Sequence, residues 1–188
     1  MSIQISIEKE KQWDEIAERA SRITDKLGMP IDQGILETVI VLNLLGITTK
    51  QSCEGHMDHG IPAPWIFFTT PGIDEIPDYQ GVMQKHVKDQ QKVLALLDTF
   101  YADRHVSQSV RLFVYPRNPG ISNLESQGAR CQYIASPEAR ALKLREYQEE
   151  MLAFTAFLKE LFFGCSNCGN CGIDGLPPGE KFARYKVY

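Results

Sequence analysis

The longest apolar stretch of the chain runs from Ile35 to Leu45, and only three polar residues interrupt it: Glu37, Thr38 and Asn43. A helix over about Asp32–Leu45 would carry apolar residues on most faces, and such a helix is stable only when other elements surround it. The stretch is too short for the roughly 20 apolar residues that a membrane span needs. We therefore expect a central, buried helix and no membrane-spanning segment.

The size of the chain indicates one domain that can bury its own core. Its 188 residues are 43% hydrophobic and 23% charged, which is typical of a soluble globular protein. We expect an α+β domain over residues 1–164, with a cysteine-rich loop and tail, residues 165–188, packed on it. The net charge of −4 gives no overall basic field and hence no strong nucleic-acid signal.

The first fifteen residues lack the apolar core of a signal peptide, so the expected location is the cytoplasm. In that reducing compartment, five cysteines indicate free thiols, catalysis or metal binding rather than structural disulfides.

Periodic apolar residues predict three further helices, at about Glu8–Leu27, Val82–Asp103 and Ser136–Phe163. His86 is one of the inward candidates of the helix Val82–Asp103. We expect it to be a surface or interhelical residue rather than a metal ligand. The third begins at Ser136-Pro137, a capping hydroxyl followed by a ring suited to the first helical position, and Gly164 ends it.

Alternating or β-branched residues predict the strands Ile47–Thr49, Trp65–Thr70, Ser109–Tyr115 and Ala129–Ala135. Arg117–Gln127 is interpreted as a turn-rich connection. The fold class is therefore α+β, with a mostly antiparallel sheet flanked by helices. On this interpretation Cys131 is a small core residue of a strand, and the aromatic side chains around Trp65 belong to the core rather than to a base-stacking platform.

The most specific chemical signal is "CSNCGNCG", in which Cys165, Cys168 and Cys171 are three residues apart. This spacing lets thiolates face one ion, and a closed zinc site needs four ligands. An iron–sulfur cluster is the alternative, although its usual run includes a fourth cysteine before a proline. A metal held by these three cysteines would take its fourth ligand from elsewhere in the chain, from water or from substrate.

The second signal is the loop "SCEGHMDHG", which is dense in reactive side chains. Cys53, His56 and His59 are candidate metal ligands, with Glu54 or Asp58 as a base or a partner of the ligands. Glu54, His56 and His59 are also the candidate catalytic residues. Ser52 and Gly55 are the candidate cofactor-binding residues of the same loop.

Two other functions of the loop remain open. Cys53 could be a nucleophile with His56 as its base. Alternatively, backbone N–H groups near Gly55 could bind an anionic ligand to which His56 donates. A cytidine-deaminase site is excluded by spacing, because its motif places one residue between the ligand and the glutamate, whereas Glu54 directly follows Cys53.

The segment "LNLLGITTKQSCEGH", Leu42–His56, resembles the wybutosine-synthesis methyltransferase-like family of tRNA-modifying proteins. The matching residues are Leu42, Asn43, Thr48, Thr49, Ser52, Cys53 and Gly55. Glu54 and His56 stand where that family has a serine and an arginine. The resemblance implies chemistry linked to S-adenosylmethionine on RNA.

Three functions are consistent with these patterns. The leading hypothesis is a small metal-dependent enzyme, with zinc and a small-molecule or nucleotide-like ligand at the Cys53–His59 loop. The alternatives are a non-catalytic binding or regulatory protein with a structural zinc, and an RNA-modifying protein. We further expect the C-terminal cysteines to share one ion with Cys53 or His56, because three thiolates leave a tetrahedral zinc one ligand short. Cys131 is the next candidate for that position.

Overall fold

The computed structural model describes residues 2–70 and 79–164, so the C-terminal cysteine loop and tail lie outside the described residues. The helices are α1 (Ser2–Ser21), α2 (Gln33–Leu44), α3 (Tyr79–Phe100) and α4 (Pro137–Phe163). The strands are β1 (Thr48–Cys53), β2 (Trp65–Thr69), β3 (Leu112–Asn118) and β4 (Ile121–Ser126), and a 3₁₀ helix covers Ala129–Ile134. Among these helices, none is long and apolar enough to cross a bilayer.

The four strands form one antiparallel sheet in the order β1-β2-β4-β3. One face of this sheet carries Ile66, Phe68 and Leu124, which are almost fully buried. Apolar residues of α2, α3 and α4 join them in a single core cluster. The α+β class and the antiparallel sheet are therefore confirmed.

Helix α2 is central, as its apolar composition predicts. Half of its residues are buried: Ile35, Thr38, Val39, Ile40, Val41 and Leu42. It packs against α1, α4 and β1. Thr38 and Thr155 of α4 share a buried hydroxyl–hydroxyl hydrogen bond of 2.7 Å, which satisfies both polar groups inside the helix contact.

Helix α4 begins and ends where the sequence predicts. The Ser136 hydroxyl accepts a hydrogen bond from the Ala139 N–H at 3.3 Å, and Pro137 opens the helix. The last residue, Phe163, is followed by Gly164 with a φ of 85°. A capping hydroxyl and an N-terminal proline thus set one end, and a glycine sets the other.

The prediction of a strand at Ala129–Ala135 is wrong, because this segment is mainly the 3₁₀ helix. The strand that pairs with β3 is β4, inside the segment that we interpreted as a turn-rich connection. As a consequence, Cys131 is exposed rather than a core residue of a strand. The prediction of an antiparallel sheet is correct, but its fourth strand is β4 rather than the segment Ala129–Ala135.

Several predicted boundaries are also displaced. Helix α1 starts and ends about six residues earlier than expected, α3 starts and ends three residues earlier, and β1 extends to Cys53. Strand β3 begins at Leu112 and passes through Pro116. It is an edge strand, where a proline is tolerated because the missing N–H need not join a ladder.

Candidate functional site

The α2–β1 unit brings the start of the helix next to the end of the strand. The twelve residues of α2 span about 18 Å at 1.5 Å per residue. The six residues of β1 run back over about 20 Å at 3.3 Å per residue. Because the two lengths match, the loop after Cys53 meets the residue that precedes α2, Asp32.

The two segments hold each other by exchanged hydrogen bonds. Asp32 occupies the N-cap position of α2, but its side chain makes no capping hydrogen bond. The carboxylate of Glu54 instead accepts the N–H of Gly34, in the first turn, at 2.6 Å. In return, Oδ2 of Asp32 accepts the N–H of Glu54 at 3.0 Å. The loop is thus fastened to the helix N-terminus, where anionic groups are favoured.

Three potential metal ligands converge at this junction. The ligand atoms of Asp32, Cys53 and His56 lie within 4.8 Å of one another, and all three residues are half-buried. Nε2 of His56 is 3.2 Å from Oδ2 of Asp32. Nitrogen and oxygen ligands of a tetrahedral zinc lie about 3.3 Å apart if each bond is about 2.0–2.1 Å. The contact is a hydrogen bond as it stands, and its length also matches the separation of two ligands of one ion.

Burial and the crowding of acidic groups together set the electrostatics of the cluster. Burial alone would raise the pKa of Asp32, but hydrogen bonds from the Glu54 N–H and from His56 outweigh it and hold that pKa below its usual value. Burial raises the pKa of the Cys53 thiol, and the negative charges of Asp32 and Glu54 raise it further. Without a cation, this thiol is neutral near pH 7 and a poor nucleophile.

The backbone of the loop is held in place by glycine geometry and by α4. Gly55 is buried with a φ of 85°, and its N–H donates to Sγ of Cys53 at 3.3 Å. Nε2 of Gln148 donates to the carbonyl oxygen of Glu54 at 3.1 Å. The N–H of Gly55 is therefore already used within the loop, where it would stabilise a thiolate sulfur.

His59 stacks on His56 and is not a second ligand for the same ion. The ring centroids are 4.2 Å apart and the planes are inclined by 18°. Ligand lone pairs lie in the plane of each ring, so two nearly parallel stacked rings do not converge on one ion. Nδ1 of His59 contacts the exposed carboxylate of Asp58 at 2.8 Å. His59 thus lies between the junction and solvent.

The remaining site predictions divide in two. Ser52 is a half-buried residue of β1, paired with Ile66 of β2, and cofactor binding by Ser52 stays a prediction. The cysteines 165, 168 and 171 lie outside the described residues, and the shared ion stays a prediction. Asp32 was missed, because the sequence indicated only a helix start there.

No protein-family model, no curated protein and no solved structure matches the chain. The chemistry of the junction must therefore be inferred from its own geometry. Its donors are one carboxylate, one thiol and one imidazole, and 24% of the His56 side chain remains exposed to solvent.

Proposed function

We propose that the protein is a metal-dependent enzyme whose ion is bound by Asp32, Cys53 and His56. The convergence of their three ligand atoms within 4.8 Å is the observation that carries this proposal. A set of one sulfur, one nitrogen and one oxygen donor favours zinc over magnesium or calcium, which prefer oxygen ligands alone.

A bound cation would also relieve the electrostatic cost of the cluster. Burial, together with the charges of Asp32 and Glu54, raises the pKa of the Cys53 thiol, and a divalent ion would reverse this effect because it stabilises the thiolate. The N–H of Gly55 already points to the sulfur. The surroundings of Cys53 therefore suit a metal-bound thiolate better than a free nucleophile paired with His56.

Three protein ligands leave the fourth tetrahedral position for water or substrate. In such sites zinc lowers the pKa of bound water toward neutrality and polarises carbonyl or phosphoryl groups. The residues of this chain then have separate tasks. Glu54 holds the loop against α2, and His59 stacks on His56 at the exposed side of the site.

Cobalt substitution tests the proposal, because tetrahedral Co²⁺ with a thiolate ligand has a charge-transfer band in the near ultraviolet. The full-length Cys165→Ser/Cys168→Ser/Cys171→Ser variant should bind one Co²⁺ per chain with this band. Adding Cys53→Ser should remove the band, and adding Asp32→Asn or His56→Gln should weaken binding at least tenfold.

Two substitutions are matched controls for these changes. Cys131→Ser removes an exposed cysteine on the 3₁₀ helix, and His59→Gln removes the stacked histidine. Both variants should retain the ion. If the triple variant binds no ion, or if the band survives loss of Cys53, the proposed site is wrong.

The same variants decide whether the C-terminal cysteines share the ion. In the wild type, one zinc per chain that is lost on changing either cysteine group would indicate a shared, closed site and a structural role. Brown protein would move the assignment to an iron–sulfur cluster. Two independent ions would leave the Asp32–Cys53–His56 site open for catalysis.

A further inference from the structure

The sheet has a second face, opposite to the helices, that is rich in aromatic rings. Because side chains alternate along a strand, Trp65 and Phe67 of β2 point away from the core residues Ile66 and Phe68. The register places Phe113 and Tyr115 of β3 on this same side. These four half-buried aromatic residues define what we call the outer face.

The aromatic residues form two pairs on either side of β4. The ring centroids of Trp65 and Phe67 are 4.5 Å apart. Those of Phe113 and Tyr115 are 5.2 Å apart, and their ring planes are inclined by 22°. Since neighbouring strands lie about 4.8 Å apart, the two pairs are separated by roughly 10 Å. The central strand thus forms the floor of a trough with aromatic walls.

That floor is polar and fully buried. Glu125 accepts a hydrogen bond from Nε of Arg130 at 2.9 Å and another from Nδ2 of Asn123 at 2.7 Å. Oδ1 of Asn123, however, is a buried acceptor with no partner in residues 2–70 and 79–164. This unpaired oxygen is buried, so a ligand reaches it only by inserting an N–H donor between the two aromatic pairs, where the new hydrogen bond would be stabilising.

Arginine side chains add positive charge at the edge of the trough. The Arg117 guanidinium lies 4.8 Å from the centroid of Phe67, and Arg130 lies 5.8 Å from that of Tyr115. Arg130 is paired with Glu125, whereas Arg117 is exposed and forms no ion pair with any described residue. Arg117 is therefore available to an anion.

We propose that the outer face binds unpaired bases of a single-stranded nucleic acid. Stacking on aromatic rings at the open face of an antiparallel sheet, with arginine near the phosphates, is the usual chemistry of such recognition. A proline-rich peptide would also suit aromatic walls, but it carries no anion for Arg117 and few donors for Asn123. The overall charge of −4 means that stacking, not a long-range field, supplies the affinity.

The outer face adjoins the candidate metal site but does not depend on it. Cys53 is the direct cross-strand partner of Trp65. A base stacked at that end of the trough would lie beside the Asp32–Cys53–His56 cluster. Binding is therefore tested with chelator present, so that failure of this inference and failure of the proposed metal site give different results.

Tryptophan fluorescence gives a direct readout, because the chain has only two tryptophans, Trp13 and Trp65. In the full-length Trp13→Phe variant the emission reports Trp65 alone. Titration with a twelve-nucleotide single-stranded oligouridylate should quench it saturably. An abasic oligonucleotide of equal length, which has phosphates but no bases, should not.

Substitutions on the outer face should weaken binding in distinct ways. Phe113→Ala should lower affinity about tenfold, the loss expected for one stacked base. Arg117→Gln should reduce the slope of log affinity against log salt by about 0.7, the value for one phosphate contact with a single strand. Phe163→Ala, which removes a partly exposed ring at the end of α4, is the control and should leave affinity unchanged.

Urea unfolding of each variant must show a folded protein before its affinity is compared. Absence of quenching by oligouridylate, equal quenching by the abasic chain, or no effect of Phe113→Ala would overturn the inference. So would a change of Trp65 emission on deleting residues 165–188 without oligonucleotide binding by either form, since this would make the chain's own C-terminal segment the occupant.

Discussion

The carboxylate of Glu54 accepts a hydrogen bond from the backbone N–H of Gly34, twenty residues earlier, at 2.6 Å. Through this bond the loop after β1 supplies the capping group that Asp32 does not provide for α2. Asp32 is thereby left to face the Glu54 N–H and His56. The capping of a helix and the assembly of the candidate site are therefore the same set of contacts.

Replacing Glu54 with alanine should destabilise the fold by about 1–2 kcal/mol, the range expected for a lost N-terminal capping group. It should also weaken metal retention, because the loop loses its attachment to α2. Urea unfolding and cobalt titration measure the two effects. Glu8→Ala, at an exposed position of α1, is the control, and equal stability of both variants would contradict the capping role.

Gly55→Ala should be much more damaging than Gly60→Ala. Both glycines have a positive φ, 85° and 68°, so an alanine at either costs about 1–2 kcal/mol. At Gly55 the added Cβ would also lie 2.6 Å from the Ala63 carbonyl carbon and 2.8 Å from Cδ1 of Leu144, whereas at Gly60 nothing lies within 4 Å. Chemical unfolding should show the difference, and similar losses at both sites would refute this packing.

Stability should decrease as the pH falls below about 6.5 because of His86. This side chain is buried between Thr70 and Ser122, and burial lowers its pKa despite the opposing charge of Asp89. The unfolded chain, with a histidine pKa near 6.5, then binds more protons than the folded chain, so unfolding is favoured by acid.

The contribution of His86 is isolated by comparing how the free energy of unfolding of each variant changes between about pH 7 and pH 5. His86→Gln should flatten this profile, whereas His105→Gln, at an exposed position after α3, should retain it. Asp32 and Asp58 have lowered pKa values and affect stability only at more acidic pH, below about 3.8. A slope that survives His86→Gln would assign the effect to another group.

Cys53 should react slowly with iodoacetamide at neutral pH. It is half-buried and its thiol pKa is raised, whereas Cys131 is exposed. We expect at least a tenfold difference in alkylation rate near pH 7.5, followed by peptide mass spectrometry, and faster reaction of Cys53 as the pH rises. Zinc should slow Cys53 further and leave Cys131 unchanged. Rapid neutral alkylation of Cys53 would instead support the nucleophile hypothesis.

Replacing Arg130 with alanine should lower the free energy of unfolding more than replacing an exposed arginine. The substitution leaves the buried carboxylate of Glu125 with only neutral partners. Glu125 has no exposed surface, while 46% of the Arg130 side chain is exposed, so the loss should be about 2 kcal/mol rather than the 3–5 of a fully buried pair. Arg22→Ala removes a partner of Glu18 on α1 and should have no measurable effect in the same unfolding assay.

The strand β4 shows why part of the sheet could not be predicted. Its sequence, "ISNLES", has the polar residues Ser122, Asn123, Glu125 and Ser126, which are all buried. Local hydrophobicity therefore indicated a connection rather than a strand. These residues are tolerated because distant side chains pair with them, such as His86 with Ser122 and Arg130 with Glu125. Such partners cannot be recognised from local sequence alone.

The sequence by itself determined the α+β class, the central position of α2, the ends of α4 and the chemical interest of the Cys53–His59 loop. Each of these depends on local composition, periodicity or capping. Tertiary structure alone decided that Asp32 joins this loop, that His59 stacks rather than ligates, and that the aromatic side chains of β2 divide between two faces. The physical reason is that these features depend on contacts between residues far apart in the chain, formed only when α2 and β1 pack side by side and the strands pair in register.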